Sequence, residues 1–429
     1  MVGISRKARE EQRTKASLTG GGFYTRRRPQ PTVAVETGVV AAATGCMGER
    51  KKHAAARGSS SSTSHEQIDD GAEQLFTGFT FPDLPNHVIP ALVEKRTVET
   101  VRSLAAGVKP PIEPAGNTSP YQVRSSPTAG KGLFATKKLR TGDLIFSERP
   151  LIVTMSRFTD KTPADLEQCL QVLWMRLPDE QGVVLATLHH SLNPPLPLQD
   201  IVSLNGWGFD PHPGAAYHTG IFPTYARCNH SCAPNAMARF NHGTFAIEVR
   251  AVRAIAPGEE LFVSYVDVLD DHAARNRVLK TNYGFECRCR VCGVGVADAT
   301  KCAESDARRA GIQSRSSLIE KYKAWRSDPS SFASPPTEII SAAIASVVSC
   351  TREGLEPFTW QDLQVLYMCY GLLGDEKNFK KWRTAFRDCF LVNVGITPEY
   401  DVACRETEDP TRWKDWAMWK TTHRTKDKE

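Results

Sequence analysis

Apolar residues recur along this chain with two different periods. Val88, Ile89, Leu92, Val93, Val98, Val101 and Leu104 fit one helical face, so a docking helix is expected over Val88–Leu104. "GVKPPIEPAGNTSPY" then breaks regular structure and reads as a linker. In "GKGLFATKKLRTGDLIFSERPLIVT", short β-branched and aromatic runs separated by Gly-Lys-Gly and Thr-Gly-Asp turns predict strands. A helical interval follows from about Pro163 to Leu192, with Leu166, Leu170, Leu173, Trp174, Leu177 and Leu185 as its apolar positions. In "GTFAIEVRAVRAIAPGEELFVSYVD", Phe245, Ile247 and Val249 alternate on one face. The segment turns at Pro257-Gly258 and returns to a strand at Leu261–Val263.

Beyond Cys302 the period lengthens. Helices are expected at roughly Ser316–Trp325, Thr337–Arg352, Trp360–Leu373 and Glu376–Val394, with Gly374 and Pro398 as stops and the last pair as an αα-hairpin. The fold class is therefore α+β: an irregular strand core followed by a helical C-terminal domain.

Composition changes this picture mainly at the N-terminus. Residues 1–57 hold 12 Lys/Arg against 4 Asp/Glu, which leaves the remainder of a chain of formal charge +6 slightly acidic. With "RRRP", "ERKK" and "GSSSSTSHE" and no sustained apolar period, residues 1–84 are expected to be a disordered basic tail. Weak contact of that tail with nucleic acid is the only polyanion binding the charge supports. No apolar stretch approaches the roughly 18 residues of a spanning helix, so no membrane partner is expected. Twelve cysteines without an export signal imply a reducing compartment, nuclear or cytoplasmic, where clustered thiols mean metal or redox chemistry rather than disulfides.

Two cysteine clusters follow. In "YGFECRCRVCG", Cys287, Cys289 and Cys292 can fill three corners of a tetrahedral zinc site, with Cys232, Cys228, Cys302 and His230 as candidates for the fourth. A redox pair at Cys289 and Cys292 is disfavoured because no βαβ unit precedes it. "YARCNHSCAPNA" favours a tight turn with local hydrogen bonds, and a Cys/His nucleophile–base pair two residues apart is a poor fit. Glu259 and Glu260 read as turn residues beside Gly258.

Taken in order, "GKGLFA", "RCNHSCAPN", "GEELFVSY" and "YGFECRCRVC" resemble the SET-domain protein-lysine methyltransferases, in particular the SMYD-like group and its fungal relatives. "SLNGWGF" fits that group as well. The resemblance covers roughly Ser125 to Cys292 and implies a SET β core with a pseudoknot and a cysteine-rich post-SET segment. It also implies the cofactor S-adenosylmethionine and a structural Zn2+. By motif position it assigns cofactor contacts to Ala129, Lys131, Gly132, Asn205, Asn229, His230 and Phe285, and zinc ligation to Cys232, Cys287, Cys289 and Cys292. It assigns the active site to Tyr265 and the lysine channel to Tyr283. Its MYND finger is not expected here, because Pro150–Leu204 holds one cysteine, Cys169; Cys228 reads as a small buried hydrophobe.

The resemblance implies methyl transfer to the ε-amine of a lysine in a histone or another protein, with a chromatin setting among the possibilities and a monomeric enzyme expected. That chemistry needs a neutral amine, and a lysine of pKa about 10.4 is neutral only about 0.04% of the time at pH 7, a cost near 4.6 kcal/mol. Desolvation beside a cationic sulfonium and in-line positioning offset it. A phenol near pKa 10 stays protonated at pH 7, so Tyr265 is assigned orientation and hydrogen bonding rather than proton abstraction. The competing reading is an inactive SET-like zinc-binding scaffold that recruits partners. The expected organisation is tail 1–84, helix and linker 85–120, SET domain 121–270, post-SET segment 271–300 and helical domain 301–429.

Overall fold

A computed structural model describes residues 74–105, 107–127, 129–156, 162–191, 195–212, 215–293, 298–314 and 318–424. The expected disordered tail lies outside the described residues up to residue 73. From Gln74 onward that expectation is corrected. Gln74–Phe81 (β1) is a strand paired antiparallel with Leu84–Glu94 (β2), and Phe79 and Phe81 are buried.

The helix expected over Val88–Leu104 is also corrected in its first half. Residues 89–94 lie in β2, buried between β1 and Val153–Met155 (β6), and the helix (α1) runs only from Lys95 to Ala105. An unbroken apolar run buried on both faces has no period that separates strand from helix, and Pro90 lacks the N–H that a helix interior requires. Val98 and Val101 remain the buried face of α1.

The strand core consists of small sheets. A five-stranded sheet has the order β1-β2-β6-β8-β7, where β7 is Gly206–Phe209 and β8 is His218–Ile221. A three-stranded sheet joins Ala236–Asn241 (β10), Ala246–Ala251 (β11) and Leu144–Glu148 (β5). Two-stranded pairs join Tyr121–Ser125 (β3) to Lys131–Ala135 (β4), and Asn229–His230 (β9) to Phe262–Val263 (β12). The alternation read around Phe245 marks β11, but every residue of that strand is buried. Its polar alternates, Glu248 and Arg250, form an internal ion pair at 3.0 Å that Arg239 joins at 3.0 Å.

The helical interval is broken at Pro178 into Pro163–Met175 (α2) and Asp179–Ala186 (α3), followed by Pro197–Asn205 (α4). Thr162 and Asp165 form a capping box at the start of α2. Leu170, Leu173, Leu185 and Ile201 pack against Leu92, Ile152 and Ile221 of the strand core.

After His272–Tyr283 (α5) the chain is helical: Ala299–Ser314 (α6), Leu318–Ser327 (α7), Thr337–Glu353 (α8), Trp360–Leu372 (α9), Glu376–Asn393 (α10), Pro398–Glu408 (α11) and Met418–Arg424 (α12). Tyr322, Leu366, Phe379 and Trp413 belong to the apolar core of this array. Pro398 starts a helix instead of stopping one: it is the first residue of α11, capped by Thr397. Val268, Ile312, Cys350 and Leu355 pack together and join the array to the segment after β12. Among the described residues, no helix is long and apolar enough to cross a membrane.

Candidate functional site

The site is built where two distant segments pair in parallel. Asn229 and His230 of β9 lie beside Phe262 and Val263 of β12, the Ser231 N–H donates to the Val263 carbonyl at 2.9 Å, and the Asn235 N–H donates to the Phe262 carbonyl at 3.1 Å. Asn235 then uses its side chain to hold the same strand: its Oδ1 accepts the Phe262 N–H at 2.7 Å and its Nδ2 donates to the Glu260 carbonyl at 2.8 Å. Only 1% of Asn235 is exposed, so these bonds replace water the group cannot reach. Through them "CAPN" is a crosslink between segments as well as a local turn.

The Gly-Lys-Gly turn joins β3 to β4 and reaches the same place. Gly130 adopts φ +50°, and the Ser126 N–H donates to its carbonyl at 2.8 Å. Asn229 Nδ2 donates to the carbonyls of Ala129 and Lys131, each at 3.2 Å, and to Glu260 Oε1 at 2.7 Å. Two N–H protons serve three acceptors, so one is shared, and among the described residues no hydrogen bond uses Asn229 Oδ1.

Glu260 corrects the reading of the two glutamates as a pair of turn residues. Glu259 does close its turn, accepting the Ala256 N–H at 3.0 Å and an Arg253 guanidinium N–H at 2.7 Å. Glu260 is 7% exposed and accepts from Ser126 Oγ at 2.9 Å as well as from Asn229. It clamps the turn to the paired strands. Gly132 makes room for it, because a Cβ there would lie 2.2 Å from Glu260 Oε1. A glycine inside a strand signals such a close approach, without naming the group that approaches.

Four rings stand over this crossing. Tyr265 lies 4.9 Å from Tyr283 and 5.3 Å from His230, centroid to centroid, while Phe285 lies 6.1 Å from His230 and 6.5 Å from Tyr283. Tyr283 ends α5, and Gly284 at φ +72° is the left-handed cap that turns the chain into Phe285. Tyr265 donates from its hydroxyl to the Cys228 carbonyl at 2.6 Å. Cys228 is fully buried in the strand core.

His230 is committed at both ring nitrogens. Nδ1 accepts the Tyr265 N–H at 3.0 Å, which places the proton of the neutral ring on Nε2, 3.3 Å from Cys232 Sγ. Its side chain therefore connects the Tyr265 backbone to Cys232. Asn205, the last residue of α4, is also engaged: its Nδ2 donates to the carbonyls of His189 at 2.7 Å and Ile201 at 2.8 Å. It sits in the helical interval, on a helix packed against α5.

The fourth corner left open by spacing is filled by Cys232. Its sulfur and those of Cys287, Cys289 and Cys292 all lie within 4.8 Å of one another. The Cys232–Cys287 and Cys232–Cys292 separations are 3.9 and 3.5 Å. Thiolates bonded to zinc at about 2.3 Å in a tetrahedron stand about 3.8 Å apart, so the four residues fit that ion. Hydrogen bonds that the protonated Cys232 makes to Cys287, Cys289 and Cys292, reinforced by burial, hold its thiol well above the ordinary range, and a bound cation is what would let all four ionise together. Cys302 lies outside the cluster.

Residues 130–266 match the SET domain family model. The histone-lysine N-methyltransferase set5 of Schizosaccharomyces pombe is 30% identical over 177 residues, 41% of this chain and 51% of that protein. The N-lysine methyltransferase SMYD2 of Gallus gallus is 30% identical over 220 residues, 47% of this chain and 48% of that protein. The human SMYD2 is 28% identical over 221 residues with the same two shares. The chain spans about half the length of the curated relatives it matches.

Proposed function

We propose that this chain, which carries a SET domain, is an S-adenosylmethionine-dependent protein-lysine N-methyltransferase with a structural zinc ion. One observation supports this most: four separated segments, 129–132, 229–232, 260–265 and 283–292, converge on one place. When bound, S-adenosylmethionine supplies an electrophilic methyl group on a sulfonium.

Each residue then has a task that follows from its surroundings. Asn229 presents Oδ1 to the cofactor, since its Nδ2 is spent on the Gly-Lys-Gly turn. Phe285, 36% exposed at the edge of the ring cluster, offers a face to the purine. Tyr265 and Tyr283 line the lysine channel, where exclusion of water favours the uncharged amine. Tyr265 orients that amine. Zinc held by Cys232, Cys287, Cys289 and Cys292 would tie the post-SET loop to the cofactor loop, and four thiolates leave no open position for water. A lysine in a histone or another protein is the substrate.

Calorimetric titration with S-adenosylmethionine, followed by methyl transfer from labelled cofactor to a proteome extract, tests the reading. Binding heat and labelled protein are expected; neither would leave a scaffold. In the same assay Tyr265→Phe is expected to keep cofactor affinity and lose most turnover.

A further inference from the structure

Among the described residues the two largest fully buried side chains are both arginines, Arg275 at 1% and Arg309 at 0% exposure; the first reaches the Cys292 sulfur and the second the Cys232 carbonyl. An isolated buried guanidinium is costly, so each needs negative charge nearby. Arg275, on α5, donates from Nη2 to Cys292 Sγ at 3.9 Å and from Nη1 to the Asp270 carbonyl. Among the described residues its ion-pair carboxylate, Asp306, is 3.8 Å away and partly exposed, and its Nε finds no partner.

Arg309, on α6, donates to the carbonyl of Cys232 at 3.2 Å, to the Val268 carbonyl and to the buried Glu353 at 3.1 Å. Glu353 ends α8 and already accepts from Ser305 at 2.6 Å and from Arg308 at 2.7 Å. Glu353 is thus shared between two guanidinium groups, of which Arg308 also pairs with Glu304 at 3.6 Å. Gly354, at φ +68°, brings the end of α8 so close to the metal-binding loops that a Cβ would stand 2.7 Å from the Ala233 Cβ and 2.2 Å from an Arg290 nitrogen. These are the chain neighbours of Cys232 and Cys289.

A divalent ion held by four thiolates carries a net charge of about −2. Arg275 and Arg309 are cations placed against that centre, in addition to the carboxylate each already has, Asp306 at 3.8 Å and Glu353 at 3.1 Å. We propose that Arg275 and Arg309 are the counter-charges of the Cys232–Cys287–Cys289–Cys292 metal centre, and that Arg309 makes metal loading and docking of α6 and α8 one cooperative event. The proposal rests on the metal part of the proposed function and not on methyl transfer.

The test reads zinc and helix protection rather than turnover. Zinc content is followed during titration of the full-length protein with a competing chelator, alongside amide hydrogen exchange over residues 299–314 and 337–353. In the wild-type protein, protection of both helices is expected to fall in step with zinc loss. Arg309→Met and Arg275→Met are each expected to weaken zinc retention about 10- to 100-fold, with Arg275→Lys recovering most of that loss. Complete zinc removal with both helices still protected would overturn the coupling, as would methionine variants that hold zinc like the wild type. A folded wild-type protein devoid of zinc would overturn the metal reading itself, whatever its methyltransferase activity.

Discussion

The strand core draws the side chains that satisfy its backbone from distant segments, whereas the helix ends of the array draw theirs from within a turn. Buried ion pairs such as Arg309–Glu353 and Arg383–Glu406 nevertheless tie the helices of the array over longer spans. In the core, Asn229 bonds to residues about 100 positions earlier, and Glu260 reaches Ser126 across 134 positions. In the array, the helix caps act within three residues, as when Asp375 accepts the Asn378 N–H and Thr397 accepts the Tyr400 N–H. Helices satisfy most of their own backbone, whereas short irregular strands leave N–H and C=O groups that distant side chains must meet. The core therefore concentrates polar chemistry at its crossings, and the array gains its stability from aromatic packing around Phe379.

That contrast can be broken in steps. Phe379→Ala removes a fully buried ring from the array and is expected to cost about 3–5 kcal/mol in denaturant unfolding. S-adenosylmethionine affinity of the folded fraction should be unchanged; a weakened affinity would erase the division between the two regions. Glu260→Ala should cost less, about 1–3 kcal/mol, by leaving Asn229 and Ser126 without their shared acceptor. Unlike Phe379→Ala, it should weaken cofactor binding about tenfold or more, which calorimetry would detect.

Glu148 sharpens the comparison through pH. Burial raises its carboxyl to about 6, against the N–H groups of Thr224 and Tyr225 that favour the charged form. Because the folded value lies above the unfolded 4.5, this group's stabilisation is full below pH 4.5 and is lost as pH rises through 6. The stability of wild type relative to Glu148→Gln should therefore be greater at pH 5 than at pH 7.5, by about 1 kcal/mol. An equal gap at both values would remove the buried charge from the account. The smallest effect is expected for Asp375→Ala, about 1 kcal/mol from loss of a helix cap, read by thermal unfolding with cofactor affinity unaltered.

Legibility in the sequence followed the same division. The helices α7 to α10 are visible within two residues at each end, since a 3.6-residue period repeats locally. Helices α6 and α11 escape notice because their apolar stripes are thin. β2 reads as helix because burial on both faces removes the alternation that identifies a strand. Glu260 reads as a turn residue because its partners, Ser126 and Asn229, lie in other segments.

By itself, the sequence determined the residue types and their order: a glycine turn, Asn-His-Ser-Cys, Gly-Glu-Glu-Leu and three clustered thiols, each a consequence of local spacing. It also determined that the C-terminal part is helical. Motif resemblance assigns Cys232 to the thiol cluster, and the fold brings it there. Only the tertiary structure decided that His230 spends both nitrogens on Tyr265 and Cys232, and that two buried arginines reach Cys292 Sγ and the Cys232 carbonyl. The physical reason is distance: these contacts join residues whose proximity depends on the parallel crossing of β9 and β12 and on the docking of α6, which no local period encodes.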